Sequence, residues 1–230
     1  MDEHLDRFYH SIELGGFVFI LSKEQLKERL RILVESNGLK TGNIQFHLIS
    51  HPDHGNIFIA WIAPHRYPSQ EEFDEGVDLM SFHANRKNPH LKSTNLPVRL
   101  QANELIDQED VYEILLVDDD DSVTEGSRSN IFFISGNNVY TPSLSLVLDG
   151  ITRREVVKIA SNNQIDVINT AIPFETIGDF DSAFLTSTSM KVLPVRKIDD
   201  HAFDPQNKMV HRLMALFEKR IERNLEEFSW

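Results

Sequence analysis

The order of apolar runs and turn formers predicts an α+β protein with a small N-terminal part and a larger C-terminal one. Three observations carry this. A capped amphipathic helix over 22–38 leads into two strand-like runs, a polar stretch around Pro68 breaks the pattern, and strands then alternate with helices to the end. The 230 residues suffice for one large domain or two small ones. We place the boundary in the polar stretch, giving domains 1–66 and 67–230.

The elements follow in order. The apolar run 17–21 lacks a basic leader and a cleavage site, so it reads as a strand or buried segment. Ser22 and Gln25 form a capping-box pattern, Leu26, Leu30, Leu33 and Val34 share one helical face, and Gly38 ends the helix. The β-rich runs IQFHLIS and IFIAWIA flank the turn former HPDHGN, which places His51 and His54 in a surface loop rather than a metal pair. HRYPSQEEFDEG reads as a linker. The runs VDLMSF, YEILLV, SVTEG, NIFFI, NVYTP and SAFL are strand-like, and helices are expected over 96–105, 152–162 and 206–227. The last of these is given Asp204 as N-cap and Pro205 as its first residue, with Val210, Leu213, Leu216, Phe217 and Ile221 keeping a helical period. The acidic run 118–121 reads as a solvated hairpin turn.

Composition narrows the function. A net charge of −13 argues against nucleic acid, whose backbone is held by clustered Lys and Arg, yet leaves room for a small anionic ligand in a local pocket. There is no cysteine, so disulfides and thiol catalysis are excluded. No stretch is apolar enough to span a membrane, and a cytoplasmic location is the default expectation.

Three clusters carry chemistry. Gly150-Ile151-Thr152 opens a helix that Thr152 and Glu155 are expected to cap. Such a start presents N–H groups and the positive end of the helix dipole to an anion, an attraction of only about 0.3–2 kcal/mol that needs further donors. The hydroxyl run Thr186-Ser187-Thr188-Ser189 after a strand is a second anion-binding candidate. Glu125, on a Gly/Ser loop, suits pairing with a protonated ring nitrogen, and Arg128 beside it either screens that carboxylate or faces a substrate. Lys92, between a Pro89 loop and a helix start, suits a covalent role once partly desolvated. Taken singly, each piece also fits an ordinary cap, turn or surface lysine.

In combination they resemble one family. Lys92-Ser-Thr-Asn, Glu125-Gly-Ser-Arg-Ser-Asn-Ile-Phe, Val139-Tyr-Thr-Pro, Leu148-Asp-Gly-Ile-Thr-Arg, Phe184-Leu-Thr-Ser-Thr and Pro194-Val closely resemble the class IV aminotransferases. These are the fold-type IV pyridoxal phosphate enzymes, which include branched-chain and D-amino acid aminotransferases and 4-amino-4-deoxychorismate lyase. The resemblance implies a small α/β N-terminal domain, a larger domain with a β-barrel-like core and flanking helices, and a homodimer. It implies that Lys92 is the Schiff-base lysine and proton shuttle and that Glu125 pairs with the pyridinium nitrogen. Leu148 packs on the ring, and Ile151, Thr152 and Thr188 hold the phosphate. His4-Leu5-Asp6-Arg7 resembles the family's HL-x-R segment, which adds Arg7 as a phosphate ligand, and Ser189 falls where relatives meet a substrate carboxylate.

Three departures bear on the substrate. The chain opens at the HL-x-R segment, where relatives carry earlier strands; His51 stands where relatives often have arginine; and Leu96 replaces the tyrosine of branched-chain enzymes. The leading expectation is amino transfer between an amino acid and a 2-oxo acid. The alternatives are pyruvate elimination by an aminodeoxychorismate lyase of 4-aminobenzoate and folate synthesis, hinted at by RKNPHL ahead of Lys92, and a shortened homologue without catalysis. No metal is implied.

Overall fold

The computed structural model describes residues 1–51, 53–64, 67–85, 89–92 and 97–227. They fall into two compact units, Met1–Tyr67 with Glu227, and Pro68–Glu226.

In the first unit, helices α1 (Asp2–Leu14) and α2 (Lys23–Ser36) cover one face of the antiparallel hairpin β1 (Asn43–His51) and β2 (Gly55–Ala63). Leu5, Leu26 and Leu30 are buried. Phe8 meets Phe19, Phe46 and Phe58 with ring centroids 5.2–5.8 Å apart, within the range where aromatic pairs attract beyond their buried area. The Ser22 capping box forms, with Gln25 N donating to Ser22 Oγ and Ser22 N to Gln25 Oε1. Gly38 follows α2 at φ +59.

Two expectations fail here. The run 17–21 is neither strand nor buried: Val18 is 72% and Ile20 89% exposed, and only Phe19 joins the aromatic cluster. Its apolar character reflects one anchoring ring, not a β face. The sequence reading also left out α1, which has no side-chain cap to announce it.

The second unit is built on a sheet with strand order β5-β4-β3-β10-β9-β6-β7-β8, with β11 (His201–Ala202) beside β10. Its strands are β3 (Val77–His83), β4 (Glu113–Val117), β5 (Val123–Gly126), β6 (Asn130–Ser135), β7 (Asn138–Pro142), β8 (Val167–Thr170), β9 (Ser182–Ser187) and β10 (Lys191–Ile198). Pairing is parallel at β10–β3, β3–β4 and β7–β8 and antiparallel elsewhere. The sheet curls. The chain after β8 returns to the opposite edge, where Val123 N donates to Ile172 O and Phe174 N to Asp121 O, both at 2.8 Å, and Ser122 bridges Pro173. The β-barrel-like core expected from the resemblance is thus realised as a curled sheet closed by a short irregular seam.

Strand alternation divides the packing. Ile131, Phe133, Leu185, Leu193 and Val195 point into the curl. Phe132, Ile134, Phe184 and Val192 point outward onto α5 (Ile151–Asn162) and α6 (Lys208–Glu227). Phe132 and Phe184 stack with centroids 4.9 Å apart, and each fully buried ring contributes about 1.5–3 kcal/mol. β4 is buried along its whole length, because Ile114 and Leu116 also meet α4 (Pro97–Glu109).

Several boundaries shift from expectation. The stretch read as a linker contains the helix α3 (Gln70–Glu75), capped by Ser69 and Glu72; His65 and Arg66 lie outside the described residues. The helix expected from 96 runs from Pro97, with Leu96 outside the described residues. Asp204 does not cap α6: its carboxylate accepts from Gln206 N in a turn, and Asn207 Oδ1 accepts from Met209 N at the helix start. The acidic run is a turn, as expected, with Asp118 Oδ1 accepting from Asp120 N and Ser122 N.

One ion-pair group ties α5 to α6. Glu155 accepts from Lys158 Nζ at 2.6 Å and Arg220 Nε at 3.1 Å. Burial alone raises the Glu155 carboxyl, but these hydrogen bonds and charges outweigh it and hold it below its ordinary value. A depressed folded-state value means that the stabilisation is complete above the ordinary carboxylate range and fades as pH falls through the depressed value. Glu155→Gln is therefore expected to lower stability by about 1–3 kcal/mol at pH 7. Urea unfolding of both proteins from pH 7 to pH 3 checks this, with the gap narrowing on the acid side.

Candidate cofactor site

Of the candidate residues in the second unit, Glu125, Leu148, Ile151 and Thr152 lie where β5, β6 and the start of α5 meet. Glu125 lies on β5, not on the loop read from the sequence, and is 3% exposed. Leu115 pairs with Gly126 and Val117 with Val123, so β5 carries one residue more than β4 across this span. Such a bulge turns a side chain out of its regular alternation. Glu125 Oε2 accepts from Leu148 N at 3.0 Å and from Asn130 Nδ2 at 3.4 Å.

Leu148 is buried just ahead of α5. Its carbonyl accepts from Asn130 Nδ2 at 2.9 Å and from Gly150 N at 2.8 Å, so both polar groups of its backbone are fixed. α5 then starts at Ile151 with Gly150 as N-cap and no side-chain cap. Thr152, expected to cap, is already inside the first turn, and Glu155 is taken by Lys158 and Arg220. A helix start that no side chain caps turns its first N–H groups toward any anion placed there. Gly150 is required by close approach: a Cβ there would sit 2.1 Å from Asn130 Oδ1.

One buried cation lies in the first turn of α5, and one buried hydroxyl lies on the neighbouring sheet face. Arg153 is buried, donating to Pro142 O and Asn169 Oδ1. Burial pulls its guanidinium below the ordinary value, and the charges of Asp149 and Glu125 oppose that shift. Across the sheet, Thr186 pairs in register with Asn130, so the two side chains share a face. Thr186 is buried, and its Oγ1 has no hydrogen-bond partner among the described residues. Two residues on, Thr188 and Ser189 form the turn into β10, Thr188 exposed and Ser189 half-buried.

Arg128 does not screen Glu125. It serves Glu113, a carboxylate with no exposed surface at the head of β4. Glu113 accepts from Ser127 Oγ (2.6 Å), Ile114 N (2.9 Å), Ser129 Oγ (3.1 Å) and Arg128 N (3.2 Å). The Arg128 guanidinium lies 3.8 Å from it and donates to Tyr112 O. Gly126 is required here, because a Cβ would meet Ser129 Oγ at 2.1 Å. Glu113 and Asn130 carry no role in the sequence reading, and Thr186 enters it only as the first member of the anion-binding candidate 186–189. Nothing marked Glu113 apart from its neighbours in YEILLV, whereas Asn130 lay inside a quoted motif.

Lys92 is exposed, on the segment between β3 and α4; Ser93, Thr94, Asn95 and Leu96 lie outside the described residues, as do Arg86, Lys87 and Asn88 of RKNPHL. Arg7 lies on α1 of the first unit and is half-buried. His51 at the end of β1 and His54 in the following turn meet with ring centroids 4.7 Å apart and planes tilted by 33°. Among the described residues no group of three His, Cys, Asp or Glu side chains is placed to hold a metal, and no helix is long and apolar enough to cross a membrane.

Residues 1–198 match the family described as amino-transferase class IV. The chain belongs to the class IV aminotransferases. Members of this family are pyridoxal phosphate-dependent aminotransferases and lyases, and the chain is an enzyme of that group. It is 28% identical to the D-alanine aminotransferase of Bacillus licheniformis over 86% of this chain and 74% of that one. With the aminodeoxychorismate lyase of Bacillus subtilis it shares 25% identity, over 99% and 82% of the two chains. A solved structure assigned as a branched-chain amino acid aminotransferase from Thermotoga maritima superposes with a TM-score of 0.82 at 28% identity, covering 96% of this chain and 80% of that one.

Glu113→Ala leaves several buried donors without an acceptor. It is expected to cost on the order of 3 kcal/mol of stability, read as a lowered midpoint in thermal or urea unfolding of the cofactor-free protein. An unchanged midpoint would show that the Ser127–Ser129 donors find water instead.

Proposed function

We propose that this chain is a pyridoxal phosphate-dependent aminotransferase that moves an amino group between an amino acid and a 2-oxo acid. The observation that carries the reading is the buried Glu125 carboxylate, tied through Leu148 to a helix start without a side-chain cap. That pairing of one negative and one anion-accepting group suits a ring nitrogen at one end and a phosphate at the other. When bound, pyridoxal phosphate supplies a protonated ring that takes up the electron pair left at the substrate Cα.

The residues then divide the work. The N–H groups of Ile151 and Thr152, the hydroxyl of Thr188 and the guanidinium of Arg7 are assigned to the phosphate. Thr186 Oγ1, buried and without a partner among the described residues, is a further donor on the face it shares with Asn130. Glu125 holds a proton on the ring nitrogen, because a buried carboxylate favours a cation beside it. The Leu148 side chain contributes an apolar contact. Lys92 would hold the cofactor through its amine, and the same amine would move the proton at the substrate Cα. Ser189 is assigned to a substrate carboxylate. Arg128, committed to Glu113 and Tyr112 O, is assigned to the loop instead.

A second reading is elimination of pyruvate from aminodeoxychorismate, favoured by the alignment of the Bacillus subtilis lyase over 99% of this chain. Homodimeric assembly and a cytoplasmic location, implied by the resemblance, belong to the same proposal and are checked by light scattering and cell fractionation.

Purified protein is expected to carry the visible absorbance band of lysine-bound cofactor, and Lys92→Ala to lose it. Glu125→Gln is expected to lower turnover by a hundredfold or more, taking the roughly 3–5 kcal/mol of a broken buried charge pair, while a bound phosphate end is retained. Conversion of the cofactor to its amine form by a panel of amino acids identifies the transaminase. Pyruvate release from aminodeoxychorismate without a 2-oxo acid identifies the lyase.

A further inference from the structure

We propose that Asn130 is the positioning residue of the cofactor site, locking the ring-side carboxylate and the phosphate-side helix start into one rigid unit. The inference rests on the pyridoxal phosphate reading above. Its warrant is a juxtaposition of three contacts on one buried carboxamide. Nδ2 donates to Glu125 Oε2 at 3.4 Å and to Leu148 O at 2.9 Å. Oδ1 lies against Gly150, at 2.1 Å from where a Cβ would stand. Asn130 thereby touches the residue assigned to the ring nitrogen, the residue assigned to the ring face and the N-cap of the helix assigned to the phosphate.

The chemistry of the side chain fits this work. A carboxamide offers two N–H donors in a fixed plane, so it can serve a carboxylate and a carbonyl together. Aspartate of the same shape has no N–H and would set a second negative charge against Glu125. Alanine would remove one donor from Glu125 Oε2, beside which the Leu148 N–H remains, and one of the two hydrogen bonds described at Leu148 O, where Gly150 N remains. The backbone carrying Asn130 is firm. It pairs with Thr186 on β9, and its strand continues into the stacked Phe132 and fully buried Phe133. The side chain is therefore held on a rigid element, as positioning requires. Arg153 adds a positive charge on the α5 side, and Asn130 stands between neither partner and solvent, being itself buried.

Four proteins test the role: wild type, Asn130→Ala, Gly150→Ala and the double variant, each prepared without cofactor and titrated with pyridoxal phosphate. Binding is followed by fluorescence and by the position of the absorbance band, and apoprotein unfolding is measured in parallel. Asn130→Ala is expected to weaken binding roughly tenfold to hundredfold and to move the band, because the ring-side carboxylate is no longer held. Gly150→Ala is expected to do the same in the wild-type background. Placed on Asn130→Ala it should add little, since the atom its Cβ meets is gone. Equal binding and an unmoved band in folded Asn130→Ala, or strictly additive effects in the double variant, overturn the proposal. Should Asn130→Ala fail to fold, Gly150→Ala alone decides by the same two readouts. A wild-type protein that takes up no pyridoxal phosphate overturns the functional reading itself, and this inference with it.

Discussion

A carboxylate with no exposure to water must be met by donors, and Glu113 meets four of them within a few residues of chain. Three of those donors come from Ser127, Arg128 and Ser129, so satisfying one buried charge dictates the path of the chain between β5 and β6. That path sets how β5 ends, just after Glu125, and where β6 begins, at Asn130. A charge this deeply buried is costly without its partners, which makes the turn an all-or-nothing arrangement. Gly126 belongs to the same constraint, since Ser129 Oγ occupies the space a side chain would need. The local geometry of the candidate site is thus inherited from a residue that takes no part in its chemistry.

The larger topology delivers the other half. β9 and β6 pair so that Thr186 faces Asn130, and the chain after β7 brings Leu148 back to Glu125 before α5 begins. β10 sits in the middle of the sheet in spite of Pro194. A proline cannot donate to a ladder. Here the parallel ladder to β3 begins only at Val195, while Pro194 stands opposite Phe184 on β9. The outward residues of β6 and β9 then pack against α5 and α6, which fixes the direction in which the start of α5 points.

Legibility in the sequence followed the physical range of each signal. Ser22 with Gln25 and the alternation in NIFFI are local, and the elements they mark are present. Local signals also misled. Asp204-Pro205 has the composition of a helix start, but the cap falls on Asn207, because an Asx turn uses the same residues. Run 17–21 is apolar without being buried, since one ring, Phe19, satisfies the packing available to it. β10 was hidden by its proline. In the site, Glu125, Leu148 and the Gly150–Thr152 step were legible through the combination of motifs. Their connection was not, because hydrogen bonds from Asn130 to Leu148 span eighteen residues and those of Glu113 reach across a strand turn. Pairings of that kind are set by tertiary folding and leave no period in the chain.

The energetics show why such a connection matters for holding a cofactor. The dipole of one helix start contributes about 0.3–2 kcal/mol to an anion, whereas micromolar binding needs about 8 kcal/mol. The rest has to come from the far end of the ligand and from the covalent bond to a lysine. Two ends of one small rigid ligand reinforce each other only if the groups that meet them are held at a fixed separation, since any slack returns as entropy lost on binding. A backbone segment alone would not hold Glu125 and Gly150 rigidly, because residues 143–150 form turns and irregular chain rather than a ladder. A side chain rooted on β6, reaching both groups from the sheet, removes that slack at the cost of a single buried amide, and the amide is itself hydrogen-bonded.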